Sequence, residues 1–292
     1  MTAKPVVAAT DGSQESLRAV EWAAREAVLH GVPLRIVSAA SLPKMVLLQL
    51  KPERDAVLGF VREHRDRALT AAAARAAEMA PGLLISTDPL EGPAAQAVTG
   101  SGLGALMLVV GSRGLGAFTA MVLGSVARYA ASHASCPVVV VREETAAVHR
   151  LVSVGVGDLD NCAGSLAFAF EEAALRKASL LAVHAWHAPQ ASISQASISR
   201  AGTPYPPPAL HAAAADAARQ LTLLLDRWQE KYPDVPASQD VVHGHPGRAL
   251  AGLSARTDLI VIGRHPGLQR PGSVRHAVLN HAHGPVAIVP SS

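Results

Sequence analysis

The chain has 292 residues, 49% of them apolar, and 26 Lys and Arg against 23 Asp and Glu give a net charge of +3. That is enough for two domains and a substantial core, and too evenly balanced for an electrostatic nucleic-acid binder. Three Trp, three Tyr and four Phe leave the core to Ala, Val and Leu, while two cysteines, Cys136 and Cys162, exclude a disulfide scaffold or a Cys-rich zinc module.

The first half opens on a short unalternating apolar run, Val6–Thr10, as expected of a strand buried on both faces. A polar turn leads into a helix over Ser16–His30, then a second strand over Leu34–Ala39 and a long Ala-rich helix over about Glu53–Met79. A third strand is expected near Leu83–Asp88, a short helix near Ala94–Gly100, and a fourth strand at Leu106–Val110 that ends in glycine. A last helix begins at Ser125 and a fifth strand covers Val138–Arg142. After a linker at about Glu143–Arg150 the series recurs. Strands fall at Leu151–Val156, Leu180–Ala185, Ser238–His243, Leu259–Ile262 and Val286–Val289. Helices cover Ser165–Lys177, about Ala209–Tyr232 and Arg248–Ala255, and a last one starts at Ser273. The Ser-, Ala- and Pro-rich stretch His187–Pro208 reads as a mobile insertion. No stretch reaches about 18 uninterrupted apolar residues, and the start lacks the roughly 7–15-residue apolar segment of a signal peptide. The chain reads as soluble and cytoplasmic, with no membrane partner.

The recurrence is a duplication. Trp22–Ala39 lies over Phe168–Ala185 at an offset of 146, and Gly124-Ser-Val lies over Gly272-Ser-Val at an offset of 148. His133 falls on His281 and Pro137 on Pro285. The period is too long for a solenoid, so two domains are expected, 1–146 and 147–292. Strict strand–helix alternation makes each an α/β unit, a parallel sheet with helices on both faces.

In such sheets ligands bind beyond the carboxyl ends of the strands. Two features sit there in the first half. Thr10-Asp11-Gly12-Ser13 follows strand one; helix capping by Asp11 or Ser13 is its plainest use. Gly111-Ser-Arg113-Gly114 follows strand four, and after nine further residues Gly124-Ser125-Val126 opens a helix. Glycines let backbone approach a ligand, and exposed N–H groups with a helix dipole suit a phosphate; the competing reading is a loop that merely reverses the chain. Neither Gly-x-x-x-x-Gly-Lys-Ser/Thr nor a Gly-x-Gly-x-x-Gly after strand one occurs. The thirteen histidines, His243, His245, His276, His281 and His283 among them, have few acidic neighbours and no helical i, i+4 arrangement. They read as solvent-facing or helix-terminal, and no metal ligands are assigned. Cys136, replaced by Gly284 in the second half, reads as a small packed residue.

Asp11-Gly-Ser, Gly111-x2-Gly114-x9-Gly124-Ser125 and Cys136-Pro-Val-Val-Val-Val together resemble the ATP-binding branch of the universal stress protein family, in its tandem, actinobacterial form. The resemblance implies a Rossmann-like sheet of order 3-2-1-4-5 in each domain. It implies adenine near Asp11, Gly12 and Ala39, and phosphates, with Mg, on Gly111, Arg113, Gly114, Gly124, Ser125 and Val126. Pairing of the two domains through their last strands, a possible homodimer, and an unidentified regulatory protein as partner follow from the same resemblance, as does a role in stress or dormancy. In the second half the matching positions are Gly263, Gly272 and Ser273, but Gly157 stands where Asp11 does, Asp158 comes one step late, and Pro266 takes the second-glycine slot. The glycine-to-glycine span is nine positions there against thirteen, so the second site is expected to be the weaker, unless Arg264 and Arg270 attract phosphate.

Phosphoryl transfer needs a base or water-orienting group and cationic charge. Beside the loop stand Arg113 and hydroxyls, with no evident base, so the expected function is an ATP-binding regulator with at most weak hydrolysis. The alternatives are a slow ATPase or nucleotidyl-transfer enzyme, or a ligand-free scaffold.

Overall fold

Apolar runs flanked by Ala-rich helices assemble, in a computed structural model, into one ten-stranded sheet. The structure describes residues 3–41, 51–114, 123–142, 147–157, 159, 161–186, 208–264 and 274–290. The proposed insertion at His187–Pro208 lies almost wholly outside them, as do Asp158, Pro266, Arg270, Gly272, Ser273 and the centre of the first glycine loop.

Strands β1 (Val6–Ala9), β2 (Leu34–Ala40), β3 (Ile85–Glu91), β4 (Met107–Gly111) and β5 (Val138–Val141) form the first half. Helices α1 (Gln14–His30), α2 (Lys51–Met79), α3 (Ala94–Ser101) and α4 (Ser125–His133) connect them. The second half carries β6 (Leu151–Gly155), β7 (Ser179–Trp186), β8 (Ala237–His243), β9 (Leu259–Arg264) and β10 (Val286–Pro290). Its helices are α5 (Ala163–Arg176), α6 (Pro208–Lys231), α7 (Pro246–Leu253) and α8 (Val274–His281). The sheet order is β3-β2-β1-β4-β5-β10-β9-β6-β7-β8. Each half therefore has the order 3-2-1-4-5, and the two sheets are fused rather than separate.

Within a half every pairing is parallel; the junction is antiparallel, with Val286 opposite Val140, Ala287 opposite Val139 and Ile288 opposite Val138. Alternate strand residues feed two cores. Val6, Ala8, Val109 and Val139 face α1, α2, α5 and α6, while Val7, Val110, Val138 and Ile260 face α3, α4, α7 and α8. Ala19, Ala23 and Ala27 recur along the buried face of α1, a helical period of small side chains that lets the helix lie close on the sheet. Helix α1 starts on Ser13, whose side chain accepts from the Ser16 amide, and stops at Gly31 in the left-handed conformation. At the same place in the repeat, α5 stops at Lys177, φ 51°, without the help of glycine.

Two boundaries shift for local reasons. Helix α7 starts at Pro246, earlier than the expected Arg248, because a proline needs no N–H at N1 and His245 Nδ1 accepts from Gly247 N at 3.2 Å. Strand β3 runs on to Glu91 past Pro89, tolerated because β3 is an edge strand. Among the described residues no helix is long and apolar enough to cross a membrane.

Phe170, fully buried, stacks on Trp228 at 5.9 Å and Tyr232 at 5.6 Å and so pins α6 to α5. Phe170→Ala is expected to destabilise the second half by about 3–5 kcal/mol, the usual cost of such a cavity. Urea unfolding followed by tryptophan fluorescence checks this; a loss under about 1 kcal/mol would show that the ring cluster carries little.

Candidate functional site

Beyond Ala9 the chain turns on a set of short polar side chains. Asp11 Oδ1 accepts from the Ser13 amide at 3.0 Å and from the Ser13 hydroxyl at 2.6 Å. The Gly12 amide donates to Thr10 Oγ1 at 3.1 Å, and Gly12 itself takes φ +84°. Ser13 alone caps α1; Asp11 holds Ser13 in place. The left-handed turn is why residue 12 is glycine.

Strand β4 delivers the glycine loop next to this turn. A side chain on Gly111 would put its Cβ 3.0 Å from the Glu15 carbonyl oxygen in the first turn of α1, and one on Gly114 would overlap Asp11 Oδ2. These two glycines, read from sequence as opening the backbone to a ligand, also have packing reasons: Gly111 lies tight against the backbone of α1, and a side chain at Gly114 would displace the Asp11 carboxylate. Gly124 is different. Its amide donates to Ser112 O at 2.8 Å, closing the base of the loop. Among the described residues a Cβ there would meet only ordinary contacts at 3.4 Å and beyond. Gly124 is the N-cap of α4, contributes no capping side chain, and no acidic residue stands in the first turn. Among the described residues no capping side-chain hydrogen bond covers the N–H groups that every helix start leaves without intrahelical partners, here those of residues 125–127.

They open on a cavity of about 980 Å³ at the carboxyl ends of β1, β2 and β4. Asp11, Ala39, Gly111, Arg113, Gly114, Gly124, Ser125 and Val126 all line it; Gly12 lies just behind, against Ala68 of α2. The sequence reading missed the wall made by α2 and α3 and the cation at Arg128. His64 Nε2 lies 3.2 Å from Asp11 O. Arg65 donates to Glu91 Oε1 at 2.7 Å and to Asp66 Oδ1 at 2.8 Å, and the Arg65 hydrogen bond, with Arg62 beside it, holds the Glu91 carboxyl below the usual range despite its slight desolvation. Nothing in the local sequence marks His64 or Arg65; only the packing of α2 over the strand ends brings them in. Among the described lining residues Asp11 is the single carboxylate.

The second half is built differently at the equivalent place. Strand registers align Ala9 with Gly155, Ser38 with His184 and Gly111 with Gly263; carried along the short helices, the same alignment sets Val98 on Leu250. A Cβ on Gly155 would lie 2.6 Å from Leu250 Cδ1, so the larger Leu250 occupies the space that the missing side chain leaves. His184 puts an imidazole where the first half has a hydroxymethyl group, with Nδ1 2.8 Å from Val156 O. Arg264, the cation that would have favoured a second phosphate site, donates to Ala134 O in the first half at 2.7 Å. Gly263 is the last residue but one of β9, whereas its counterpart Gly111 closes β4; Gly272 and Ser273 lie outside the described residues.

Comparisons with known proteins agree with this architecture. The model of the "Universal stress protein family" matches residues 2–142 and again 150–290. "Universal stress protein Rv2005c" of Mycobacterium tuberculosis is 33% identical over 306 aligned residues, covering 98% of this chain and 97% of that protein. "Universal stress protein Rv2623" of the same organism is 30% identical over 301, covering 98% and 96%. A crystal structure of a universal stress protein from Archaeoglobus fulgidus DSM 4304 covers all of this chain and 97% of its own, with a TM-score of 0.71 at 16% identity, a likeness of fold.

The Gly155–Leu250 exchange predicts a rescue. Gly155→Ala forces Leu250 aside and is expected to cost about 1–3 kcal/mol. Combined with Leu250→Val it recreates the Ala9–Val98 pair, and most of the loss returns. Strictly additive costs in the double variant, measured by denaturant unfolding, would mean that the two positions do not share that space.

Proposed function

We propose, on the premise that this chain belongs to the universal stress protein family, that its first domain (1–146) binds ATP with Mg²⁺ and that binding regulates rather than catalyses. The observation that carries the reading is the uncovered first turn of α4, whose glycine N-cap no described packing contact requires, facing a 980 Å³ cavity at the strand ends. A helix start with free N–H groups and no acidic side chain favours an anion. Arg113 and Arg128 line the same wall. The volume falls within the range of roughly 300–1,000 Å³ for small-molecule sites.

The residues fit the ligand in parts. The α4 amides, the Ser125 hydroxyl and the two arginines would hold phosphates, and the Ala39 end of β2 would carry the base. A metal ion bound with the nucleotide would neutralise phosphate charge. Asp11 lies against Gly114 with one oxygen engaged by Ser13, so a carboxylate borders the phosphate side; it suits a cation-bridged phosphate better than a bare one. Hydrolysis is expected to be slow. His64 and Asp11 are the titratable groups of the cavity that could serve as base; Nε2 of His64 and Oδ1 of Asp11 are already engaged in the turn. The second domain (147–292), filled by Leu250 and His184, binds nucleotide weakly or not at all. Signalling in stress or dormancy then requires a partner that distinguishes the bound from the free first domain, since a ligand shifts only what it binds differentially. The last strands are spent on each other within one chain, so a homodimer would use another surface.

By calorimetry in Mg²⁺-containing buffer, Gly124→Glu is expected to abolish ATP binding, since it places a carboxylate on the α4 amides. Asp11→Ala is expected to weaken it about ten- to hundredfold, the worth of one charged hydrogen bond. Unchanged affinity in Gly124→Glu would place the site elsewhere. Turnover is expected below the usual enzyme range of about 1–1,000 per second; a rate inside it that His64→Gln removes would establish an ATPase.

A further inference from the structure

The duplication superposes Glu26 and His30 of α1 on Glu172 and Arg176 of α5, each pair four residues apart on its helix. The antiparallel seam brings these helix ends face to face, and the four side chains form one cluster between the halves. His30 Nε2 lies 3.0 Å from Glu172 Oε1 and 3.2 Å from Glu26 Oε1. Arg176 donates to Glu26 Oε2 at 2.6 Å and, from its other terminal nitrogen, to Glu172 Oε2. Glu26 is 3% exposed and Glu172 fully buried. His30 is helix-terminal, as expected, but not solvent-facing: Glu26 lies one turn back on the same helix and Glu172 comes from the other half.

We propose that this cluster is a proton-linked clamp between the two domains, closed while His30 carries its second proton and loosened when that proton is lost. Two buried carboxylates face one permanent cation, Arg176. With His30 protonated the cluster is neutral; with His30 neutral a net negative charge is left in the interface, which burial makes costly. The other charged groups packed around the two helices do not balance it. Under α1 and α5, strands β1, β4, β5, β6 and β10 carry no ionisable side chain; β9 carries only Arg264, turned to Ala134 on the far face of the sheet. Strand β2 carries Arg35, which donates to Ser101 O of α3, and β7 carries His184, its Nδ1 2.8 Å from Val156 O. On α2, Arg75 is engaged by Glu21 at 2.5 Å and Arg25 of α1 reaches Met79. On α6, Lys231 lies over the Trp228 and Tyr232 rings. Arg176 itself rests over the Trp22 ring at 6.0 Å.

The direction of the pH response follows. Burial works against the charged imidazole, but the hydrogen bonds to Glu172 and Glu26 outweigh it and push His30 up to about 9. Burial, reinforced by the Glu26 charge, pushes Glu172 up to about 7. Both groups bind protons more tightly folded than unfolded, so their contribution falls as pH rises. For His30 it is complete below the ordinary histidine value of about 6.5 and gone above about 9. Glu26 is shifted the other way: burial alone would raise it, but the His30 hydrogen bond and the Arg176 charge hold it below the ordinary range. Its contribution is lost only in acid. A metal ion is the rival occupant, because the three ligand atoms lie within 4.8 Å of one another; Arg176 already supplies the cation they need.

The repeat itself provides the control. His30→Arg puts the second domain's residue into the first, keeping the charge and removing the titration. The test is thermal unfolding of the full chain from pH 6 to 10, with a proton NMR titration of the His30 ring. The wild type is expected to lose stability between pH 7 and 10, with His30 titrating near 9. His30→Arg should flatten that loss. Glu172→Gln, which leaves one carboxylate for Arg176, should lower the His30 midpoint by at least one unit. A His30 midpoint near 6.5, an unflattened slope in His30→Arg, or stoichiometric metal whose removal unfolds the protein would each overturn the clamp. Neither readout involves nucleotide, so it stands or falls apart from the proposed ATP site.

Discussion

The antiparallel pairing of β5 with β10 is the constraint from which the rest of the molecule follows. Parallel sheets of this kind end in an edge that must be covered or paired, and here each domain covers the other's edge with a run of valine and isoleucine. Because the junction reverses strand direction, the carboxyl ends of the two sets of strands lie on opposite margins of the sheet. The two potential ligand sites therefore face away from each other. The same reversal sets α1 against α5 on one face, where the Glu–His and Glu–Arg pairs meet, and lets Arg264 reach the end of α4 across the other.

Duplication placed equivalent positions beyond the strand ends of both domains, and side-chain volume differs between them. The first domain keeps Ala9, Ser38 and Val98 around open space; the second has Gly155, His184 and Leu250 in the same places, and Leu250 closes over the glycine. This is a packed solution, not a ruined motif. A core at crystal-like density gains from filling a void, and Leu250 fills the one that Gly155 would otherwise leave. Arg264, at the end of β9, donates to the carbonyl of Ala134 that closes α4 in the neighbouring domain, where a cation is favoured by the dipole.

Much of the fold was legible in the sequence because the relevant signals are local or repeated. Unbroken apolar runs marked buried strands, Asp11 or Ser13 marked the start of α1, and the repeat at offsets of 146 and 148 pointed to two domains of one type. At the site, residues fixed by chain position (Asp11, Gly111, Gly114, Gly124, Ser125) were found, while those delivered by a distant helix, His64 and Arg65, were not. The packing roles of Gly111 and Gly114 went unread for the same reason: the crowding of Gly111 by Glu15 and of Gly114 by Asp11 arises between segments far apart in sequence. The filled second pocket and the interdomain cluster were visible in principle, as size and charge differences between aligned repeat positions. Their meaning needs the registers that place Gly155 under Leu250 and His30 beside Glu172.

The most direct test of the central claim, one nucleotide site in a chain of two domains, is to denature purified full-length protein in acid and quantify the released adenine nucleotide against protein by mass spectrometry. After saturation with Mg-ATP and removal of the excess, the account predicts close to one nucleotide per chain, and none from Gly124→Glu. Two per chain, or one that survives Gly124→Glu, would contradict it.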